Sequence, residues 1–208
     1  MQPGPEWEDE FNDWYNGEHV PVRLALPGFV GARRYTVVTG SPKYAVAYYL
    51  AGLDALETPG YRRLKQTPGE RTSRMLASVT GFTRYVGEEI TRFVRPDVDA
   101  DPVAAPYLYA VLFAVPADRD EAFSQWYDED HCPLLLENRH WWQIRRYRIR
   151  DGAPHRWTHL ALHHVGDLAA MTSPERERAR RSPWRARLAA ESWFAPEYAV
   201  YHRLPAAW

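Results

Sequence analysis

The sequence predicts an α+β fold built from two fused ferredoxin-like repeats, each with the element order βαββαβ. Three observations carry this prediction. A motif of the form Trp-Tyr-x-x-acid-His-x-Pro starts at Trp14 and starts again 112 positions later, at Trp126. The second half alternates β-rich and helix-periodic segments in the order of that fold. The length of 208 residues is enough for two small units of about 100 residues each.

The repeat extends beyond the motif at the same offset. Identical residues pair as Phe11 with Phe123, Leu24 with Leu136, and Arg33-Arg34-Tyr35 with Arg145-Arg146-Tyr147. Because so many identities at one offset do not arise by chance, we place the first repeat at residues 1–91 and the second at 107–208. The segment 92–106 between them is rich in aspartate and proline and is predicted to be a linker.

The second repeat shows all the elements of the fold. We predict strands at 107–115, 143–150, 157–163 and 197–204, a helix through Trp126 that ends near Pro133, and a helix at 175–192. In the first repeat the opening helix starts near Glu8, so the first strand of that repeat is predicted to be missing. Either the first residue of the sequence was assigned too late, or the linker or another chain covers this open edge.

Composition and charge exclude several classes of protein. The formal net charge of −1 provides no overall field that would attract nucleic acid or an anionic membrane. The most basic stretch, 176–187, is interleaved with glutamate and is predicted to be a solvated helix face. The single cysteine, Cys132, excludes a disulfide framework and is predicted to be a buried apolar residue. With neither a signal-peptide pattern nor a membrane-spanning run, we expect a cytoplasmic protein.

The first repeat resembles a known family. The runs 10–21, 23–29 and 33–35 are similar to the EthD-like branch of the dimeric α+β barrel superfamily. This resemblance implies an eight-stranded barrel closed within one chain, with a pocket between each sheet and its helices. Known members include cofactor-free polyketide cyclases, lactone isomerases and dehydratase- or decarboxylase-type enzymes, and more distant ones bind haem. The second repeat departs from the pattern, with Arg139-His140-Trp141 where the first has Pro27-Gly28-Phe29.

From this resemblance we expect a cofactor-independent cyclase, isomerase or lyase. It would act on an aromatic or polyketide-like small molecule by histidine-mediated proton transfer, as a monomer or weak homodimer. The alternative is a barrel protein that binds a small molecule or haem without catalysis. No nucleotide-binding or hydrolase motif occurs in the sequence.

Within the motif, His19 is the best candidate for the general acid or base, with His131 as its equivalent and Tyr15 as an oxyanion stabiliser. Alternatively, the histidines lock a helix end by bonding a backbone carbonyl, and the tyrosines pack in the core. The residues expected to bind the substrate are Trp14, Glu18, Tyr49, Tyr127, His159 and His163.

Two further expectations concern charged and metal-binding residues. Glu18 and Asp130 are expected mainly to form ion pairs with the dipeptides Arg33-Arg34 and Arg145-Arg146. His159 and His163 lie four residues apart on a predicted strand, about 13 Å, which is too far for both to bind one metal ion. We therefore predict no metal site.

Overall fold

A computed structural model describes residues 1–206, and the chain forms two compact units. Unit 1 contains Met1–Val37, Ser41–Phe82 and the described residues from 203 onward, and unit 2 contains Val38–Gly40 and Thr83–His202. Both combine helices with antiparallel strands, so the predicted α+β class is confirmed. Among residues 1–206, no helix combines the length and the apolar character needed to cross a membrane.

Unit 1 is organised around an antiparallel hairpin of two strands. Its elements are β1 (Gln2–Pro3), α1 (Glu8–Trp14), α2 (Val20–Leu24), β2 (Phe29–Thr39), β3 (Tyr44–Leu50), α3 (Pro59–Gln66), α4 (Glu70–Ser78) and β4 (Val79–Thr80). Strands β2 and β3 pair directly, and Phe11, Trp14 and Met75 form the buried core between helices and strands. Burial of these large apolar side chains supplies the main driving force for this packing.

The predicted missing strand has a short remnant. Strand β1 pairs with β4, and the backbone of Met1 exchanges hydrogen bonds with Tyr44 at the start of β3. The residues before α1 therefore lie beside β3 for the length of one residue pair.

Unit 2 carries a five-stranded antiparallel sheet. Its elements are β5 (Arg84–Val94), β6 (Tyr107–Phe113), α5 (Asp120–Trp126), α6 (Cys132–Leu136), β7 (Trp141–Ala153), β8 (His159–Val165), α7 (Pro174–Arg181), α8 (Pro183–Ala189) and β9 (Glu197–Arg203). The strand order is β9-β6-β8-β7-β5, so that β6 lies between the last strand and β8, as in a split βαββαβ motif.

Strand β5 shows that the compact units and the predicted repeats have different boundaries. Most of β5 falls within the predicted first repeat, but it pairs with β7 in unit 2. A duplicated segment need not fold into a unit of its own, so the boundaries 1–91, 92–106 and 107–208 remain a prediction. The last two residues of the predicted second repeat lie outside the described residues.

The motif helix differs from the prediction at its proline. We predicted that Pro133 ends the helix or begins a loop, and this is wrong. Helices α5 and α6 are joined by a π-helical turn at Tyr127–His131, and the helix continues through Pro133 to Leu136. In this turn Cys132 donates its backbone N–H to the carbonyl of Tyr127, five residues back. Proline has no backbone N–H to donate to the preceding turn. It is tolerated near the start of α6 because the wider π-helical turn before it does not require a hydrogen bond from this position.

The predicted helix at 175–192 is also divided, because Ser182 and Pro183 start a new helix. The Ser182 hydroxyl accepts a hydrogen bond from the backbone N–H of Arg185, which is the usual N-cap arrangement. The result is two short helices, α7 and α8, in place of one.

Candidate functional site

A cavity of about 90 Å³ lies inside unit 2, next to the second copy of the motif. Its walls are aromatic and basic, and none of its lining residues is an aspartate or glutamate. The lining residues used below are Tyr109, Trp126, Tyr127, His131, Trp141, Arg176, Arg180, Arg185 and Tyr198.

The π-helical turn brings the motif side chains to one face. The rings of Trp126 and His131 have centroids 4.9 Å apart, and those of Tyr127 and His131 are 5.0 Å apart. In an unbroken α-helix, residues i and i+4 neighbour each other, whereas a π-helical turn widens this spacing and also aligns residue i+5. Such turns are frequent at functional sites.

His131 presents one ring nitrogen that has no partner. Burial, followed by the charge of Arg185, lowers the pKa of His131 to about 3, so the ring is neutral near pH 7. A neutral imidazole carries one N–H, and the ring hydrogen-bonds to the backbone of Ala179 in α7. Nδ1 is buried and has no hydrogen-bond partner among residues 1–206. We infer that Nε2 carries the proton and that the unpartnered Nδ1 keeps its lone pair.

Tyr127 is held by a hydrogen-bonded chain that begins at Trp141. The indole Nε1–H of Trp141 donates to His163 Nδ1 at 3.0 Å, and His163 Nε2 lies 2.9 Å from the hydroxyl of Tyr127. An indole nitrogen can only donate, so His163 Nδ1 must accept. Burial holds the pKa of His163 well below its usual value, so the ring is neutral and its proton is on Nε2. His163 therefore donates to Tyr127, and the hydroxyl hydrogen of Tyr127 remains available to another acceptor.

Three arginines complete the wall, and their position corrects the prediction for 176–187. Arg176 and Arg180 in α7 and Arg185 in α8 line the cavity, whereas we predicted a solvated helix face. Arg178 and Arg181 do face outward, where they pair with Glu137 and Glu177. The basic stretch thus has an outer face with acidic partners and an inner face on the cavity.

His159 and His163 do not line this cavity. His159 Nε2 lies 2.9 Å from Asp120 Oδ1, and its Nδ1 lies 3.0 Å from the Thr158 hydroxyl. Burial lowers the pKa of His159 to about 4, against the opposing effect of Asp120. His163 is fully buried behind Tyr127. In this conformation both histidines therefore contact neighbouring side chains and stabilise the fold, and neither lies on the cavity wall.

Unit 1 contains a similar cluster around the first copy of the motif. The ring of His19 has its centroid 4.4 Å from Trp14 and 4.5 Å from Tyr15. Burial raises the pKa of Tyr15 and the neighbouring Tyr48 opposes this rise, while the Tyr48 hydroxyl itself has no hydrogen-bond partner among residues 1–206. Burial, followed by the charge of Arg23, lowers the pKa of His19 to about 2, and its Nδ1 has no partner among the described residues. Tyr49 instead neighbours Tyr35, whose pKa is raised well above its usual value by burial and then by Tyr49.

Strand register shows which residues of the two clusters correspond. Ala32 pairs with Tyr48 in unit 1, and Ile144, 112 positions later, pairs with His163 in unit 2. Tyr48 therefore occupies the place of His163. By the same register Tyr49 corresponds to His164, and Tyr44 corresponds to His159.

The acidic motif residues do not pair with the arginine dipeptides, contrary to expectation. Glu18 binds Arg71 at 2.5 Å on the surface, and Asp130 accepts a hydrogen bond from the Ser182 hydroxyl at 2.5 Å.

Two other residues of the motif helices bind the buried arginines. Arg34 donates to the amide oxygen of Asn16, and Arg146 forms an ion pair with Asp128.

Comparison with known proteins identifies the fold. No protein-family model and no curated protein matches the sequence. A crystal structure of an anthrone oxidase-like protein matches with a TM-score of 0.70 at 12% identity, over 99% of this chain and 88% of that one. A candidate monooxygenase from Fusobacterium nucleatum subsp. nucleatum ATCC 25586 matches with a TM-score of 0.56 at 9% identity, over 99% and 89%. Another, from Lactobacillus acidophilus NCFM, has a TM-score of 0.54 at 7% identity, over 98% and 90%. At these identities the likeness shows a shared α+β fold.

Sequence reasoning found part of the cavity wall and missed the rest. It named Tyr127 and His131, which line the cavity, but it preferred His19 because the first motif is closer to the family pattern. It missed the three arginines. The available signal was the i, i+4 spacing of Arg176 and Arg180, with no acidic residue on the same helix face. Cys132 is buried, as expected, and burial raises the pKa of its thiol well above the usual value.

Proposed function

We propose that this chain is an enzyme that removes a proton from a carbon next to a carbonyl group of an aromatic or polyketide-like small molecule. The observation that carries the proposal is that His131, whose buried Nδ1 has no hydrogen-bond partner among residues 1–206, lines a cavity together with Tyr127. The names of the structures that share the fold, an anthrone oxidase-like protein and candidate monooxygenases, agree with an enzyme that acts on a small molecule.

In the proposed step, His131 Nδ1 takes the proton as the C–H bond breaks. The electron pair moves onto the carbonyl carbon–oxygen unit, which becomes an enolate. Tyr127 donates its hydroxyl hydrogen to the enolate oxygen, where the charge develops. Return of the proton from His131 to the same carbon reverses the step, and return to another position completes an isomerisation or prepares a cyclisation.

The charge around His131 matters for its strength as a base. Burial and, after it, the positive charge of Arg185 oppose protonation and lower the pKa of His131 to about 3. The ideal base has a pKa near the working pH. An anionic ligand or enolate would offset the positive charge and raise the pKa of His131 toward that range.

Cavity size sets what can bind without rearrangement. A cavity of about 90 Å³ is smaller than the ~150 Å³ apolar cavity that holds one benzene ring. It admits the reacting carbonyl and part of a ring, and a larger ligand would have to displace side chains from the wall. The residues present do not fit haem, the alternative considered from the sequence, because haem needs a large apolar cavity as well as an axial ligand.

Proton removal can be tested without knowing the final product. Anthrone has an acidic methylene group, and its exchange with deuterated water can be followed by mass spectrometry above the rate in buffer. We expect the protein to accelerate exchange, His131→Gln to abolish the acceleration, and the matched His19→Gln variant in unit 1 to retain most of it. Tyr127→Phe should slow exchange by about 100- to 1,000-fold, as for loss of one oxyanion donor. A folded His131→Gln variant with unchanged exchange would refute the proposal.

We also propose that the chain arose by tandem duplication and forms an EthD-like α+β barrel. The support is internal: the β2–β3 and β7–β8 registers correspond at the 112-residue offset, and both motif helices contain the same π-helical turn. Exchange of residues 96–104, the part of the predicted linker that lies between β5 and β6, for a flexible linker of equal length tests the linker assignment. Retained folding and exchange activity are expected.

A further inference from the structure

We propose that the cavity in unit 2 selects ligands that carry a permanent anionic group, specifically an aromatic carboxylate, and that Arg176, Arg180 and Arg185 determine this selectivity. The inference rests on the proposed function only in using the same cavity, and it extends that function by naming the class of ligand. It stands on the geometry of the three arginines and on the absence of acidic side chains from the cavity wall.

The three arginines lack the partners that their neighbours have. Among residues 1–206, no carboxylate lies within 4 Å of Arg176, Arg180 or Arg185, whereas Arg178 and Arg181 each pair with a glutamate. Buried or half-buried charges are normally paired, because an uncompensated charge is costly to remove from water. Two of the three, Arg176 and Arg185, are half-buried.

Their existing contacts hold the arginines in place without neutralising them. Arg176 donates to the carbonyl of Met171 at 2.7 Å, and its guanidinium carbon lies 5.7 Å from the centroid of the Tyr109 ring. Arg185 donates to the carbonyl of Arg180 at 3.2 Å and lies 5.3 Å from the Phe194 ring. Burial and the charge of Arg180 both lower the pKa of Arg185, which shows that like charges converge here. An anionic ligand would relieve this repulsion.

The rest of the wall matches the face of an aromatic ring, of which the cavity admits a part before side chains of the wall move. Trp126, Trp141, Tyr109 and Tyr198 line the cavity, and Tyr109 and Tyr198 are in an edge-on arrangement with centroids 5.8 Å apart. The hydroxyl of Tyr127 offers a hydrogen-bond donor. A wall of aromatic faces with arginine and hydroxyl donors is complementary to a ring that carries a carboxylate, which an arginine can bind with two parallel hydrogen bonds.

The test compares benzoate with benzamide, which has nearly the same shape and no charge, by isothermal titration calorimetry on the full chain. We expect benzoate to bind at least about tenfold more tightly, the loss expected when one charge-assisted hydrogen bond is removed. Raising the salt concentration from 50 to 500 mM should weaken benzoate binding and leave benzamide binding unchanged, because salt screens charge. Equal affinity for the two probes, or no binding of either, would overturn the inference.

Variants then assign the effect to the arginines. Arg176→Gln and Arg185→Gln should each weaken benzoate binding by about tenfold or more without changing benzamide binding. Arg181→Gln, a surface change in the same helix, is the matched control and should stay within about twofold. If benzoate binds the variants as tightly as the original chain, the arginines do not select the ligand.

The two proposals can fail separately. His131→Gln should keep the preference for benzoate while losing proton exchange. If the original chain prefers benzoate over benzamide but does not accelerate proton exchange, the anion site is supported and the enzyme proposal is refuted. If it accelerates exchange but shows no preference for benzoate, the enzyme proposal is supported and the anion site is refuted. The probe pair and the salt series need no variant, so they decide the question even if an arginine variant fails to fold.

Discussion

The two buried arginines of the motif regions form a natural comparison, because one has a carboxylate partner and the other has an amide. Arg146 is 2% exposed and pairs with Asp128, which is 24% exposed. At the corresponding position in unit 1, Arg34 is also 2% exposed, and it donates to the amide oxygens of Asn16 and Asn12. The ring of Tyr15, whose centroid is 4.4 Å away, gives Arg34 a cation–π contact in addition.

We predict that Asp128→Asn destabilises the protein and that Asn16→Asp stabilises it. Two unit charges about 4 Å apart attract by about 4 kcal/mol at an effective dielectric constant of 20. Desolvation of the carboxylate offsets part of this, and breaking a buried pair costs about 3–5 kcal/mol when the partner is left uncompensated. Because asparagine keeps one oxygen acceptor for Arg146, we expect a loss of about 2 kcal/mol for Asp128→Asn. For Asn16→Asp we expect a gain of about 1 kcal/mol, since the aspartate must itself be desolvated.

Urea unfolding followed by tryptophan fluorescence measures both changes. One kcal/mol corresponds to roughly 2–4 °C in melting temperature for a chain of this size. Glu129→Gln is the matched control, because it removes the same charge from an exposed neighbour in the same turn, and it should change stability by less than about 0.5 kcal/mol. If Asp128→Asn is no more destabilising than Glu129→Gln, the carboxylate is not what makes burial of Arg146 tolerable, and the comparison drawn above is wrong.

Three further predictions concern pH, the hydrogen-bonded chain and the surface. Because the pKa of His131 is about 3 when folded and about 6.5 when unfolded, the unfolded state binds more protons between these values. Stability should therefore fall as the pH drops through this window, and His131→Gln should reduce the slope by about 1.4 kcal/mol per pH unit in urea titrations at fixed pH. Trp141→Phe removes the donor to His163 and lets the Tyr127 hydrogen turn toward that ring. We expect about tenfold slower anthrone exchange, and an unchanged rate would contradict this reasoning. Glu18→Gln breaks only the surface ion pair with Arg71, so thermal melting should show a loss of folding stability of less than about 1 kcal/mol. A larger loss of stability would show that Glu18 has a further role.

The parts of this structure that follow from local sequence were predictable. The motif helix, the strands at 107–113 and 197–203 and the buried Cys132 depend on short-range pattern and apolar periodicity. The continuation of the helix through Pro133 was missed because a π-helical turn has no distinct residue signature. Its effect, however, is large, since it brings Tyr127 and His131 to one face.

Long-range contacts decided what the sequence left open. The pairing of Glu18 with Arg71 and of Asp130 with Ser182 depends on where α4 and α8 pack, which no nearby residue reveals. The same is true of the arginine wall, because the break at Pro183 reorients the second half of a segment that looks like one amphipathic helix. Charge composition alone indicated a solvated face, and only the packing shows that its inner side lines a cavity.

The differences between the surroundings of the two motif copies acquire a chemical meaning in the structure. Trp141 replaces Phe29 at the 112-residue offset, and His163 replaces Tyr48. In unit 1 the Phe29 ring has no hydrogen to donate, and the Tyr48 hydroxyl can either donate or accept, so nothing fixes the direction of the Tyr15 hydrogen. In unit 2 the indole fixes the tautomer of His163, and His163 fixes Tyr127 as a donor. The second copy of the motif is thus the one whose tyrosine hydrogen is left available to another acceptor, and this is why we assign the proposed chemistry to unit 2.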